Sequence, residues 1–435
     1  MRDGRPPNLK EGQRGQLYQI KAWLFARWLY VTELFTKITA TGVGRVSVVG
    51  FIIGFLSMLM FLPEHSTPPT PSSKILYTKV KSKPMKLKPV RFHDLPNWKQ
   101  DDHLAAFNAF RISCRKYLND KTRKPVRIDR KRFNLCKYAL GVPINHKQAA
   151  RLFFEQNFKP LRVLSSTSML TGYYEPEIEG SRVRTAEFNI PVYRRPADLV
   201  SLINDKDRAA KNHQLTFMRR VNGRLEPFPT REAIERGALE GQGLELIYLR
   251  DQVDAFFMHI QGSARIRLQD GSVIRIGYAG KNGHPYSSIG QHLKHSYKFR
   301  GKQLKLEAVK NWLRQNDKLG RKVMWHNKSY IFFRELDAEQ AKGGPLGAEG
   351  VNLTPRRSLA VDGSYHQLGL PIWLEVPSLT HHGERGFHQL MIGQDVGSAI
   401  KGPVRGDIFW GSGDVAGDVA GGTKHRGNFT LLLPR

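Results

Sequence analysis

The sequence predicts a mainly β protein with helices, an α+β chain preceded by a single membrane helix. Three observations predict it. Residues Val46–Leu62 form an uncharged apolar run. From Asp101 to about Val163 apolar residues recur at helical spacing, and from Leu170 short runs bounded by turn residues take over. From Ser358 to the end the chain is strand-like and dense in glycine, which suits a compact barrel whose backbone passes close to itself.

The run VSVVGFIIGFLSMLMFL is seventeen residues long, near the lower limit for a helix that spans a bilayer. Eight Lys/Arg against three Asp/Glu precede it, so the basic side stays cytoplasmic and the remainder goes outward. Leu62-Pro63-Glu64-His65 offers no small-x-small cleavage site, which favours an uncleaved signal-anchor over a signal peptide or a buried core helix. No cysteine follows the run, which argues against a lipoprotein anchor. Residues 1–45 then read as a basic cytoplasmic segment, 46–62 as the transmembrane anchor and 63–91 as a tether. Proline stiffens its first part, PEHSTPPTPSS, and lysine crowds Lys74–Arg91.

Ordered structure is expected from Phe92. Ala105, Ala106, Ala109, Phe110 and Ile112 mark one helix, and Ala149, Ala150, Leu152, Phe153 and Phe158 another. Strands are expected at Ile190–Tyr193, Leu244–Leu249, Phe256–Ile260, Ala264–Leu268 and Val273–Gly277. Gln269-Asp270-Gly271-Ser272 supplies a hairpin turn between the last two. Leu304–Asn316 reads as a further helix.

Apolar content of 40%, with 10% aromatic, belongs to a globular chain rather than a disordered one. The net charge of +31 calls for an anionic partner: nucleic acid, acidic membrane, or an acidic polymer such as a cell wall. No recognition-helix pattern or Cys/His zinc spacing is present, so nucleic acid is disfavoured. Cys114 and Cys136 are the only cysteines, and a disulfide and two buried thiols stand equally open. A zinc site would need more ligands at tight spacing. No Gly-x-Ser-x-Gly elbow or phosphate loop occurs, and neither a cofactor nor a metal is expected.

Three aspartates interrupt or end runs that otherwise read as buried sheet: Asp362 in AVDG, Asp395 in GQDVG and Asp407 in RGDIFW. A carboxylate in an apolar strand is costly unless it is paired, hydrogen-bonded or working. Apolar neighbours raise a carboxyl pKa, as a general acid near neutrality requires. On a regular strand Arg405 shares a face with Asp407 and opposes that rise, unless a bulge at Gly406 turns it away. Turn-capping is the alternative role for each of the three. Two further stretches carry polar groups. Gln261, Gly262 and Ser263 end an expected strand, and Tyr278 to Tyr286, with Asn282, combines aromatic, amide and glycine as sugar sites do. A plain turn fits the second stretch equally well.

The strings LTGYYEPEIEGS, NIPVYRRP, HIQGSARI, IGYAGKNGHPYSSIGQHL, SYIFFRE, AVD, GQDVGSAIKG and GDIFWGSG occur in that order between about residues 92 and 435. Together they resemble the membrane-bound lytic murein transglycosylase A (MltA) family. The resemblance implies two domains with a glycan groove between them. One is a double-psi β-barrel built from 92–169 and 342–435, with a three-aspartate (3D) region at about 350–435. The other is an inserted, smaller β-barrel-like domain, 170–341. It implies that Asp407 is the catalytic acid, that Asp395 and Asp362 orient or polarise it, and that Thr171, Tyr173, Gln261, Gly262, Ser263, Tyr278 and Asn282 contact sugar.

The implied reaction cleaves the β-1,4 bond between N-acetylmuramic acid and N-acetylglucosamine of peptidoglycan without water, leaving 1,6-anhydro ends. One aspartate serves as acid and then base, with no cofactor. The expected partners are glycan strands, the membrane through the N-terminal helix, and wall-synthesis complexes, with no nucleic acid. The expected location is the periplasm, anchored to the inner membrane. Members of the family are typically lipoproteins, and this chain lacks the lipid-bearing cysteine. Three rival readings remain: a two-carboxylate hydrolase using Asp407 with Asp395, a non-catalytic wall-binding anchor, and a membrane-tethered nucleic-acid binder.

Overall fold

The computed structural model describes residues 76–78, 84–120, 129–202, 215–381 and 384–435. The expected cytoplasmic segment, the Val46–Leu62 anchor and most of the tether lie outside the described residues. Among the described residues, no helix is long and apolar enough to cross a membrane.

Strands β1 (Leu76–Thr78) and β2 (Met85–Pro89) lead into helices α1 (His103–Asn119), α2 (Arg130–Gly141) and α3 (Lys147–Asn157). Each helix starts on a side-chain cap: Asp102 accepts from Ala105 N–H, Asp129 from Arg132 N–H, and His146 from Ala149 N–H. Ala106, Phe107, Phe110, Cys114 and Tyr117 recur at helical spacing on the buried side of α1, packed with Phe153, Phe154 and Phe158. Cys114 and Cys136 form a disulfide that ties α1 to α2, which decides between the two states the sequence left open. The helical pattern ends earlier than expected. Phe158 begins β3 (Phe158–Leu164), because its buried ring completes the aromatic cluster from a strand position.

After β4 (Met169–Glu175) the chain enters a middle region. Strands β5 (Glu177–Ser181) and β6 (Ile190–Tyr193) precede a three-stranded sheet of β7 (Leu199–Ser201), β8 (Phe217–Val221) and β9 (Arg224–Glu226). Next come β10 (Glu245–Leu249), α4 (Gln252–Gln261), β11 (Ser263–Leu268) and β12 (Val273–Lys281). Helices α5 (Ile289–Ser296), α6 (Leu306–Gln315) and α7 (Asp317–Trp325) and strand β13 (Ile331–Glu335) complete the region. The expected hairpin is present, with Ser263 to Arg267 paired antiparallel to Gly277 to Val273.

The expected strand Phe256–Ile260 is instead the body of α4. Asp251 caps it by accepting from Val253 and Asp254 N–H, and Gly262, at φ 84°, closes it in the left-handed conformation. An apolar run this short has no periodicity that separates a buried strand from a buried helix. A six-stranded sheet runs β13-β12-β11-β5-β10-β6, and one bridge between Arg194 and Phe333 links its two edge strands.

The last quarter contributes β14 (Ser358–Val361), β15 (Pro371–His381), β16 (Glu384–Asp395), β17 (Arg405–Ser412), helix α8 (Asp414–Gly422), β18 (Lys424–His425) and β19 (Asn428–Pro434). The large sheet runs β1-β2-β3-β19-β15-β16-β14-β17-β4-β18, an open order of ten strands rather than the expected closed barrel. It nevertheless curls about one core: Leu87 of β2 and Leu170 of β4, second and ninth in that order, belong to the same buried cluster. The architecture is mixed α+β with several sheets. Arg275 of β12 pairs bidentately with the fully buried Glu175 of β4, at 2.7 and 3.1 Å, and this ion pair joins the six-stranded sheet to the ten-stranded one.

Candidate active site

The site is set by strand register. β17 runs parallel to β4, with Asp407 opposite Thr171 and Phe409 opposite Tyr173. Alternate residues of a strand share a face, so these four side chains stand together. The Thr171 hydroxyl donates to Asp407 Oδ1. The Tyr173 ring packs on Phe409 with 5.3 Å between centroids, and its hydroxyl donates to Asp395 Oδ2 at 3.0 Å.

On the other side of β17, Ala360 of β14 pairs with Asp407, and the same Ala360 pairs with Asp395 of β16. A bulge at Gln394 produces that second pairing by shifting the β14–β16 register by one residue. The Gln394 side chain turns inward instead, donating to the Ala109 carbonyl at 3.1 Å and to the Ser113 hydroxyl at 2.8 Å. Asp395 and Asp407 therefore flank one small, buried alanine.

The three carboxylates differ in what they bind. Asp395 Oδ1 accepts from Ala348 N–H at 2.8 Å and Val396 N–H at 2.9 Å, and Oδ2 accepts from Tyr173. Asp362, 2% exposed, receives the N–H and hydroxyl of Ser364 on Oδ1 and Gly402 N–H on Oδ2. Asp407 receives Thr171 alone among the described residues, which leaves its Oδ2 without a partner.

Their acidities follow. Burial raises the Asp407 carboxyl, against the Thr171 bond and the Arg405 charge. Burial also raises Asp395, to about 6, against its three donors and with the help of the Asp407 charge. At Asp362 burial acts upward too, but the Ser364 and Gly402 donors outweigh it and hold the group below its ordinary value. The bulge at Gly406 that the sequence left open is absent: residues 405 to 407 keep an unbroken register, and Arg405 donates to the Gly406 and Met169 carbonyls. Glycine is needed there for room, since a Cβ would lie 2.8 Å from the Phe429 ring.

The middle region faces this wall. Tyr286 is held above the usual phenol range by burial and, secondarily, by the charge of Asp407. Lys281 Nζ donates to Ser398 Oγ at 3.1 Å, three residues beyond Asp395. The Gln261 side-chain oxygen Oε1 accepts Tyr174 N–H at 3.1 Å and steadies β4 from the end of α4. Gly262 caps that helix, and Ser263 is buried opposite Gly277.

Asn282 is fully engaged. Its amide donates to the Pro229 and Lys328 carbonyls at 2.9 and 2.8 Å, and its oxygen accepts Tyr330 N–H at 2.9 Å. Tyr278 lines a separate cavity in which none of the three aspartates takes part. The structure thus brings Thr171, Tyr173, Asp395 and Asp407 together, with Gln261 behind them, and sets Asp362, Tyr278 and Asn282 apart. Sequence reasoning includes Tyr286 in the candidate loop but singles out Tyr278 for the sugar contact. Tyr286 ends the loop that Tyr278 begins, and nothing local distinguishes the two tyrosines.

A carboxyl pair on a mixed sheet, beside an inserted β region, defines an α+β protein with a candidate acid–base site. Comparison with known proteins agrees with that class. The MltA specific insert domain matches residues 169–334, and the 3D domain matches residues 357–433. A membrane-bound lytic murein transglycosylase from Agrobacterium tumefaciens has a solved structure 38% identical to this chain. It superposes with a TM-score of 0.73 over 80% of this chain and 98% of its own. MltA from Neisseria gonorrhoeae is 31% identical, with a TM-score of 0.65 over 86% and 98%. The chain belongs to the membrane-bound lytic murein transglycosylase A family.

Membrane-bound lytic murein transglycosylase A of Vibrio cholerae is 35% identical over 61% of this chain, a match spanning 65% of that protein's length. The E. coli MltA solved with bound chitohexaose is 26% identical, with a TM-score of 0.57 over 85% of this chain and 99% of its own.

Proposed function

We propose that the protein is a peptidoglycan lytic transglycosylase in which Asp407 acts first as acid and then as base. One observation carries the assignment: of the three aspartates, Asp407 alone keeps a carboxyl oxygen clear of donors among the described residues. Burial keeps that carboxyl protonated to higher pH than an ordinary aspartate. The proton passes to the glycosidic oxygen as the C1–O bond breaks and the N-acetylmuramic acid ring gains oxocarbenium character. The Asp407 carboxylate then takes the proton of that sugar's own 6-hydroxyl as O6 bonds to C1. The 1,6-anhydro ring closes and Asp407 regains its proton.

An internal hydroxyl already held near C1 has a large effective concentration relative to solvent. Asp395 and Thr171 position and tune Asp407, and Tyr173 and Gln261 shape the wall. A hydrolase would need a second carboxylate to activate water. The occupied oxygens of Asp395 argue against that role. The chitohexaose bound by the E. coli relative supports a glycan ligand in the cleft.

The domain division that accompanies this reading sets 92–169 with 342–435 as the catalytic unit, curled about one core, and 170–341 as the insert. The proposed location is the periplasmic face of the inner membrane, with Val46–Leu62 as the anchor. Glycan strands and wall-synthesis complexes are the proposed partners.

The test is digestion of purified murein followed by mass spectrometry of the products. Wild-type protein is expected to release 1,6-anhydro ends, and Asp407→Asn to lose at least about a thousandfold in rate. Reducing ends from the wild type would establish hydrolysis, and undiminished release by Asp407→Asn would remove this residue from the mechanism.

A further inference from the structure

The six-stranded sheet holds a cavity of about 610 Å³ that the acid–base chemistry does not use, lined among others by Arg194, Arg195, Arg334, Tyr278, Phe333 and Glu335. Its charge is one-sided. Glu335 is already held bidentately by Arg182, at 2.9 Å on each oxygen. The three lining guanidiniums have only neutral partners or none. Arg195 donates to the Ala279 and Leu199 carbonyls at 3.3 and 2.9 Å, and Arg334 to Gln340 Oε1 at 2.9 Å. The Arg194 side chain has no partner among the described residues. A planar guanidinium presents paired N–H donors that match a carboxylate. Tyr278, 46% exposed, adds aromatic surface for small side chains.

Position identifies the ligand. Tyr278 in the cavity and Lys281, which bonds Ser398 at the cleft, lie three residues apart on β12. A strand rises about 3.3 Å per residue, so roughly 10 Å separates them. An extended peptide covers that distance in about three residues.

We propose that this cavity binds the carboxylates of the short peptides that peptidoglycan carries beside its glycan. The inference rests on the functional reading of the cleft given above. Arg194 is the free hand of the site, Arg195 and Arg334 are pre-oriented, and the glycan in the cleft sets the reach.

Two measurements separate this inference from that reading. Cleavage is compared on glycan strands with and without their peptides, for the wild type and for Arg194→Ala, with Arg194→Lys as a conservative control. The wild type is expected to favour peptide-bearing strands through KM by about tenfold, and Arg194→Ala to lose that preference. Calorimetry on the full-length Asp407→Asn protein then titrates an acidic tetrapeptide, its fully amidated twin and inorganic phosphate. Salt-sensitive, Arg194-dependent binding of the acidic form alone supports the proposal. Equal binding of the acidic and amidated forms overturns it, as does binding of phosphate as tight as that of the acidic peptide. Cleavage of both strand types without preference also overturns it, while leaving the cleft reading intact. If neither strand type is cleaved, the cleft reading fails, and calorimetry still decides what the cavity binds.

Discussion

A carboxyl group that gives up a proton and takes another back within one turnover needs an oxygen free of the protein's own donors, and a pKa close to the working pH. Thr171 and Asp395 act on that pKa from opposite directions. The Thr171 hydroxyl favours the ionised form of Asp407. Thr171→Val removes it, so the alkaline fall in activity moves to higher pH. The rate at the optimum drops about tenfold, because the carboxyl loses the one side chain that holds it. The Asp395 charge repels that of Asp407. Asp395→Asn therefore moves the same fall to lower pH. A pH–rate profile of each variant checks both signs, and a shift in a common direction contradicts the pairing.

Asp395→Asn also changes stability in a pH-dependent way. The folded-state value of about 6 lies above the unfolded value of 3.8, so folding penalises the carboxylate form. The penalty is absent below about pH 4, grows between 4 and 6, and is complete above that. The variant is therefore expected to gain stability on the order of 2 kcal/mol at pH 8 and little at pH 4, read from denaturant midpoints.

At the scale of elements, Ala360 is the spacer. It is 3% exposed on β14 and pairs with Asp407 on one side and Asp395 on the other. A larger side chain there drives the two carboxyls apart or forces the strands to shift. Ala360→Leu is expected to cost about 1–3 kcal/mol by overpacking. It should also reduce kcat far more than the stability loss accounts for. Chemical denaturation together with single-turnover cleavage measures the two effects separately. Ala360→Gly, which keeps the space, should retain most of the activity.

Helix α8 shows how packing overrides local preference. Its sequence, DVAGDVAGG, carries three glycines and is a poor helix former by itself. The helix lies so close to β4 that a Cβ on Gly417 would sit 2.8 Å from the Tyr174 ring. Glycine is what that approach requires, and a reading in which glycine marks strands and turns passes over the helix.

For the whole molecule, the proposed function sets a net charge of +31 against a polyanionic wall, so charge is expected to govern the encounter. Charged surfaces attract over roughly 10 Å at 0.1 M salt and over only about 3 Å at 1 M. Sedimentation with purified sacculi is expected to fall severalfold between 50 and 500 mM sodium chloride, with kcat on bound glycan little changed. Retention that ignores salt would place recognition in uncharged contacts instead.

The sequence by itself determined the first and third of the helices after Phe92, the strand at Ile190–Tyr193, the hairpin around Gln269–Ser272 and the three aspartates as carboxylates in or at the ends of apolar strands. All of these rest on periodicity and neighbours within a few residues. Tertiary structure alone decided that Phe256–Ile260 is helical, that Cys114 meets Cys136, that Tyr286 rather than Tyr278 feels the Asp407 charge, and that Asp407, alone of the three aspartates, keeps an oxygen without a donor among the described residues. Each depends on a partner distant in the chain, as Thr171 is from Asp407 at a separation of 236 residues. Such pairings are chosen by strand register and close packing, which leave no periodic trace in the order of residues.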